Sequence, residues 1–268
     1  MNSLQRMTLL LAAFAMPLAA RAEALTDVGA IIDRANLAAY YAGDDGRSEA
    51  RMAIEDSQGR TQLRQFTVLR RDHDEGGDQD FMVFFSRPSD VRGTVFLVAK
   101  KVGRDDDRWL YLPGLDLVRR ISAGDKRTSF VGSHFYYEDV SGRHPQADEH
   151  VLVETTAKHY VIESTPKDHR AVEFARYVTH IDRDSFLPMK TEYFDARDRV
   201  YRVMEVLDVT DVDGHPTVTR SQISDPVNGG RTLMEFRYIE YDVGLPADIF
   251  SERYLRTPPV DWLRRGGE

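Results

Sequence analysis

The sequence predicts a mainly β protein in which one helix precedes an antiparallel sheet. Hydrophobic residues repeat with a helical period only near residues 26–41, and the later apolar segments alternate with a period of two. Turn signals separate these later segments at short intervals, with little helical pattern between them. Many short strands in close succession indicate an antiparallel sheet.

The predicted helix occupies the start of the mature chain. Thr26 is a suitable N-cap, and Ile31 and Ala35 lie on one apolar stripe. The helix is expected to end near Tyr41, because the glycines and aspartates at 43–46 form a strong stop signal.

The predicted strands give the sheet one polar face and one apolar face. In the last strand, Glu235 and Arg237 alternate with Met234, Phe236 and Tyr238. No linker rich in proline, glycine or serine interrupts the series, so residues 23–268 are predicted to form a single domain. The predicted strands cover residues 49–55, 61–71, 80–86, 94–100, 108–112, 151–154, 159–164, 174–182, 189–194, 200–212, 216–224 and 231–242.

Composition excludes several classes of function. The 268 residues include 36 lysines and arginines against 44 aspartates and glutamates, a net charge of −8, and the chain has no basic stripe that would suit a nucleic acid. Cysteine is absent, so disulfides, thiolate metal sites, cysteine nucleophiles and a lipid-modified N-terminal cysteine are excluded.

The first residues predict export. An apolar run at 7–20 follows Arg6, and Ala20-Arg21-Ala22 fits a signal-peptidase site. Residues 1–22 are therefore predicted to be a signal peptide cleaved after Ala22, which in a bacterium delivers the chain to the periplasm. No later segment is apolar enough to be predicted as a transmembrane span.

Catalytic and metal-binding patterns are weak. The acidic stretch at 72–80 lacks the spacing of a calcium loop, and a solvated hairpin tip explains it better. The histidines have no metal-ligand spacing, and Gly132-Ser133-His134 lacks the second glycine of a nucleophile elbow. The sequence therefore predicts no catalytic residue, no metal site, no cofactor and no enzyme.

The apolar face is rich in methionine, phenylalanine and tyrosine, which suits either a packed core or a cavity for a hydrophobic ligand. Methionine adapts to varied apolar shapes, and a large apolar face needs a lid or a ligand to cover it. The pattern alone leaves both interpretations open. The candidate cavity residues, at inward strand positions, are Met52, Ile54, Phe81, Phe85, Met189, Tyr193, Met204, Met234, Phe236 and Tyr238.

The most distinctive segment spans residues 109–139. It comprises a strand, a Pro-Gly turn, a short basic strand and an irregular aromatic stretch, which could plug a cavity or form a contact surface. The basic side chains could contact a lipid headgroup or an acidic partner, or form an ordinary surface patch. They are Arg119, Arg120, Lys126 and Arg127.

The pattern W-x-Y-x-P, V-R-R-I-S, K-R and S-F-x-G-S-x-F-x-Y-E-D within residues 109–139 resembles the LolA-like outer membrane lipoprotein-sorting family, also called the treponemal LolA-like domain. The resemblance extends over most of the mature chain. It implies an incomplete antiparallel β-barrel with a helical lid over an apolar cavity, as in the carriers LolA and LolB and the regulator RseB. It also implies a periplasmic, non-enzymatic protein that works with an RND-type exporter.

Three functions follow from these observations. The first is a periplasmic carrier that binds a lipid, or the acyl chains of a lipoprotein, and passes it between membrane partners. The second is an RseB-like sensor that signals to a membrane partner. The third, which the residues support least, is an enzyme acting on lipid or glycan.

Overall fold

The computed structural model describes residues 24–263, and thirteen strands in this range form one antiparallel sheet. The strands are β1 (Asp45–Glu55), β2 (Thr61–Asp72), β3 (Gln79–Arg87), β4 (Val95–Lys100), β5 (Asp107–Leu112), β6 (Leu117–Ile121), β7 (Asp148–Thr155), β8 (His159–Pro166), β9 (Arg176–Asp182), β10 (Pro188–Phe194), β11 (Val200–Val212), β12 (His215–Ser224) and β13 (Arg231–Tyr241). The helices are α1 (Val28–Tyr40), α2 (Tyr137–Ser141), α3 (Glu252–Arg256) and α4 (Val260–Leu263).

The strand order explains why the barrel is incomplete. The order is β6-β5-β4-β3-β2-β1-β13-β12-β11-β10-β9-β8-β7, so pairing of β1 with β13 joins two meanders and leaves β6 and β7 as the two edges. The chain passes from one edge to the other through residues 122–147, here called the crossing segment. Because its ends lie at opposite edges, the crossing segment runs across the sheet, and its side chains pack on the concave face.

Helix α1 begins one residue later than predicted. Asp27, and not Thr26, is the N-cap, because its Oδ1 accepts a hydrogen bond of 2.9 Å from the Gly29 amide. The helix ends at Tyr40, close to the predicted position. Ile31 and Ala35 pack against β8 and β9, so the predicted stripe is the buried face of the helix.

The main core lies between the concave face of β1–β5 and the crossing segment. Phe85 and Phe96 stand on the sheet, and Phe130 and Tyr137 of the crossing segment lie over them with ring centroids 5.1 to 5.7 Å apart. Phe66 packs beside Phe85 on the same face, with ring centroids 5.0 Å apart. These tilted and edge-on contacts are the preferred geometries of aromatic pairs. Part of the aromatic stretch found in the sequence thus packs on the concave face of the sheet.

The convex face of β2–β4 is buried as well, which differs from the predicted polar outer face. Met82, Phe84 and Leu97 point away from the concave side and are covered by Leu245 and Leu255 of the C-terminal segment. The chain therefore buries β3 on both faces, and its unbroken apolar sequence is typical of such a strand.

The predicted fold class is confirmed: the protein is mainly β, with an open antiparallel sheet and few helices. The predicted signal peptide lies outside the described residues. Assignment of residues 23–268 to a single domain stays a prediction.

Candidate functional site

Two adjacent cavities, here called the first and second lobes, lie between the concave face of the sheet, helix α1 and the crossing segment. The first lobe has a volume of about 290 Å³ and the second about 300 Å³. Both lobes are lined by Ala39 and Tyr40 of α1, Phe135 and Asp139 of the crossing segment, Leu187, and Val218 of β12. These shared residues lie between the two lobes.

The first lobe has an apolar floor. The floor consists of alternate residues of neighbouring strands that face the same side of the sheet. They are Val68 of β2, Phe81 and Val83 of β3, and Met234, Phe236 and Ile239 of β13.

The second lobe has a floor of mixed chemistry. Inward residues of β9–β12 supply Ile181, Met204 and Ile223 together with hydroxyl-bearing side chains. The hydroxyl-bearing residues are Tyr177, Thr179, Thr191, Tyr193 and Ser221.

Helix α1 covers both lobes with one stripe of its surface. The residues of this stripe recur at helical spacing and include small alanines, which leave space beneath the helix. They are Ile32, Ala35, Asn36, Ala38, Ala39 and Tyr40.

The C-terminal end of α1 is fixed to the sheet by polar side chains. Arg70 donates to the carbonyls of Tyr40, Ala42 and Gly43, and Gln79 donates to the Tyr40 carbonyl at 2.8 Å. The last carbonyls of a helix lack partners within the helix and favour a nearby positive charge. The sheet supplies both the missing donors and that charge.

Two ionisable groups at this attachment have strongly shifted pKa values. Burial lowers the pKa of Lys100 from its usual 10.5 to about 8; its Nζ donates to Gln79 Oε1 at 3.1 Å and lies 5.0 Å from the ring centroid of Tyr40. Burial raises the pKa of Asp72 from 3.8 to about 6, although Arg70 partly opposes the shift. The attachment of the lid is therefore a buried polar cluster.

The crossing segment is held over the sheet by buried ion pairs. Arg127 donates to Glu138 at 2.6 Å and to both carboxylate oxygens of Glu173 at 2.7 Å. Arg143 donates to the two oxygens of Asp148 at 2.7 and 2.8 Å. Arg202 of β11 pairs with Asp139.

One wall of the cavity is a two-stranded hairpin that stands apart from its neighbours. This hairpin arm (residues 206–219) comprises the end of β11 and the start of β12. In the described chain, β10 pairs with β11 only up to Glu205, and β13 pairs with β12 only from Arg220 onward. The arm is held to β13 by a contact of 2.9 Å between Thr217 Oγ1 and Tyr241 Oη.

The predicted cavity residues fall into three groups. Lining the cavity are Phe81, Met234 and Phe236 in the first lobe and Tyr193 and Met204 in the second. Buried in the core beside the first lobe are Met52, Ile54 and Phe85. Outside both linings are Met189 and Tyr238.

Irregularities in strand register explain why Tyr238 and Met189 lie outside both linings. Tyr238 and Ile239 together oppose Ser48 of β1, and Tyr238 has a positive φ of 51°. The extra residue turns Tyr238 outward, where it is 52% exposed, and brings Ile239 into the lining in its place. Met189 lies at a similar irregularity in β10.

The four predicted basic contact residues all form ion pairs. Arg119 lies 3.8 Å from Asp125, and Arg120 pairs with Asp107. Lys126 Nζ lies 2.9 Å from an oxygen of Asp105. Arg127 is almost completely buried between two glutamates and aromatic rings. Only Arg119 and Arg120 are well exposed, so the structure does not bring the four together as one surface.

Several lining residues were missed by sequence reasoning. Tyr40 and Ala39 lie at the end of the helix, on the continuation of its apolar stripe. The stripe could therefore have predicted that they face the cavity. Leu187 lies in an irregular segment with no periodic pattern. Phe135 belongs to the aromatic stretch that the sequence offered as a plug over a cavity or as a contact surface.

The described residues show neither a membrane-spanning helix nor a cluster of metal ligands. The longest helix within residues 24–263, α1, has 13 residues, and none there has the length and hydropathy of a bilayer span. That same part of the chain holds no group of three or more histidine or acidic side chains suited to a metal ion.

An open antiparallel half-barrel with a helix across its concave face is the architecture of LolA-like proteins, and structural comparisons agree. A DUF1329 family protein from Desulfovibrio piger is 30% identical, with a TM-score of 0.76 over 85% of this chain and 98% of that one. A putative outer membrane lipoprotein-sorting protein domain from Vibrio parahaemolyticus has 24% identity and a TM-score of 0.75 over 85% and 96%. A LolA superfamily protein from Nitrosomonas europaea has 18% identity and a TM-score of 0.64 over 85% and 98%.

A family model with the description "-like: Uncharacterized protein" matches residues 77–257. No curated protein sequence matches the chain. The chain belongs to the DUF1329 family, and it shares the fold of the LolA superfamily protein.

Proposed function

We propose that the protein is a non-enzymatic periplasmic carrier that binds a lipid, or the acyl chains of a lipoprotein, in the two-lobed cavity and passes it between membrane partners. The observation that supports this most is the apolar first lobe under a helical cover. Packed protein interiors leave few voids larger than a water molecule, so a lobe of about 290 Å³ lined by Phe81, Val83 and Phe236 suits a ligand.

The energetics suit an acyl chain. Each CH₂ group that leaves water for an apolar environment contributes about 0.8 kcal/mol. A long chain therefore stays in its membrane unless a protein offers an equivalent apolar surface. The floor of the first lobe is apolar, and Met234 adds an adaptable side chain to it.

The periplasmic location rests on the predicted signal peptide and on the family. One structural relative is described as an outer membrane lipoprotein-sorting domain, which agrees with transport between membranes. The RND-type exporter stays a prediction of the family resemblance, because none of the reported relatives names one.

The proposal is tested by native mass spectrometry of the protein released from the periplasm without detergent. We expect a fraction of the molecules to carry one lipid or acylated peptide, which organic solvent extracts. Protein that retains no such molecule, but copurifies with the periplasmic domain of a membrane protein, would support the RseB-like sensor instead.

A further inference from the structure

The two lobes differ in chemistry, and the second lobe narrows the class of ligand. Its floor presents the hydroxyl groups of Thr179, Thr191 and Ser221, whereas the hydroxyl of Tyr177 donates to Asp148 at 2.7 Å. The floor of the first lobe is apolar, and Arg70 in its lining donates to the carbonyls at the end of α1. An amphiphile that spans the two adjacent lobes would have its chain in the first lobe and its polar head in the second.

The charged groups around the second lobe are already neutralised by one another. The guanidinium of Arg127 contacts Glu138 and Glu173 through three of its nitrogens. Arg143 forms a two-point pair with Asp148. An anionic head would have to displace these carboxylates, because neither arginine has its guanidinium free.

Another acidic group of the lobe is paired as well. Asp139 accepts from Arg202 and, at 2.6 Å, from the Tyr136 amide. Glu205 borders the lobe through its backbone, because its neighbours Met204 and Val206 face the cavity and side chains alternate along β11. Its side chain lies on the convex face, beside that of Lys190 on β10.

The neutral groups are left to bind a ligand. Thr179 and Thr191 contact each other at 3.2 Å through their hydroxyl oxygens, and each hydroxyl has further hydrogen-bonding capacity. Asn36, on the covering stripe of α1, adds an amide from above. Hydroxyl and amide groups match the ester and hydroxyl oxygens of an uncharged head.

We propose that the second lobe is a subsite for an uncharged, oxygen-bearing head group, so that the cargo is a neutral acyl amphiphile such as a glyceride ester and not an anionic phospholipid. This inference rests on the proposed function, since it specifies the ligand of the same cavity. A neutral head is favoured because it avoids the free-energy cost of burying an unpaired negative charge.

The test compares ligands that share one acyl chain and differ only in the head. The purified protein is first saturated with a fluorescent fatty-acyl probe. Monooleoylglycerol, oleate and oleoyl lysophosphatidic acid then compete for it at pH 7.5, below their aggregation concentrations. We expect monooleoylglycerol to displace the probe at a concentration at least about tenfold lower than lysophosphatidic acid, a difference of about 1.4 kcal/mol.

Matched variants test whether the second lobe causes the preference for monooleoylglycerol over lysophosphatidic acid. Asn36→Lys adds an unpaired cation above the lobe and is expected to reduce the preference at least about threefold by improving lysophosphatidic acid binding. Asp33→Asn changes the net charge equally on the exposed side of α1 and should leave the preference unchanged. Ser221→Lys and Gln222→Lys repeat the comparison on β12. The side chain of Ser221 points into the lobe, whereas Gln222 borders the lobe through its backbone and its side chain lies on the convex face, opposite Glu205.

Different results would contradict the head-group inference and the carrier function. Equal displacement by all three oleoyl compounds, or tighter binding of lysophosphatidic acid, would overturn the head-group inference and leave the carrier function standing. Failure of the probe and of every oleoyl compound to bind folded protein would overturn the carrier function itself.

Discussion

The ring of Tyr40 lies against the backbone of Gly142, so closely that a Cβ on Gly142 would be 2.4 Å from Tyr40 Cζ. This contact joins the end of the covering helix to the end of α2 in the crossing segment. Gly142 also has φ 78° and ψ 157°, a combination that is essentially restricted to glycine. The cover of the cavity thus depends on a position that no other residue type fits.

We expect Gly142→Ala to destabilise the protein by about 1–3 kcal/mol through backbone strain. Displacement of the Tyr40 ring by the new Cβ should add to this loss of stability. Urea denaturation measures the loss. Gly132→Ala is the control, since Gly132 has φ 80° but open space around its Cβ position. Equal losses in both variants would show that the contact with Tyr40 contributes nothing.

Phe236→Asp should abolish binding of a fatty-acyl probe, because it places a charge in the apolar floor of the first lobe. Probe titration of the folded variant measures the effect. Tyr238→Asp makes the same substitution two residues along β13 at an exposed side chain and should bind the probe as wild type does. Normal uptake by folded Phe236→Asp would remove that residue from the binding surface.

Stability should depend on Asp72 between about pH 4 and 6. The pKa of Asp72 is about 6 in the folded chain against 3.8 ordinarily, so the folded state binds more protons in this window. The contribution of Asp72 to stability is therefore largest below its ordinary pKa and decreases as the pH rises through 6.

Asp72→Asn cannot ionise and should remove that decrease, as urea denaturation across the pH range would reveal. The exposed Asp74→Asn, in the same hairpin, controls for the loss of one carboxylate. A wild-type slope that persists in Asp72→Asn would assign the pH dependence to other groups.

Tyr241→Phe should loosen the hairpin arm selectively. The substitution removes the hydroxyl that contacts Thr217, a hydrogen bond worth about 0.5–1.5 kcal/mol. Amide hydrogen exchange within residues 206–219 should become about 2- to 13-fold faster, as that energy range implies. Residues 220–224 of β12, which pair with β13, serve as the internal control. Unchanged exchange in the arm would mean that this contact does not hold it.

The sequence predicted the helix and the sheet because both depend on local periodicity. It also predicted the inward positions of Phe81 and Phe85, since β3 keeps a strict alternation. It failed at Tyr238, where a bulge shifts the register and no residue type signals the positive φ. The unbroken apolar run around Met82 and Phe84 could have predicted a strand buried on both faces.

The site itself was less predictable, because it depends on long-range geometry. Arg127 resembles a free surface cation in sequence, and its neutralisation by Glu173, 46 positions away, follows only from the fold. The path of the crossing segment depends on which strands are the edges of the sheet, a property of strand order and not of local pattern. The two lobes arise from that path.

Photolabelling with a monoacylglycerol that carries a diazirine in its acyl chain tests the central claim most directly. Mass spectrometry of the digested protein locates the labelled residues. We expect labels on peptides containing Phe81, Phe236 or Val68, which line the first lobe, and we expect these labels to disappear when unlabelled monooleoylglycerol competes. Labels confined to the convex face, or labels that competition does not reduce, would contradict that claim.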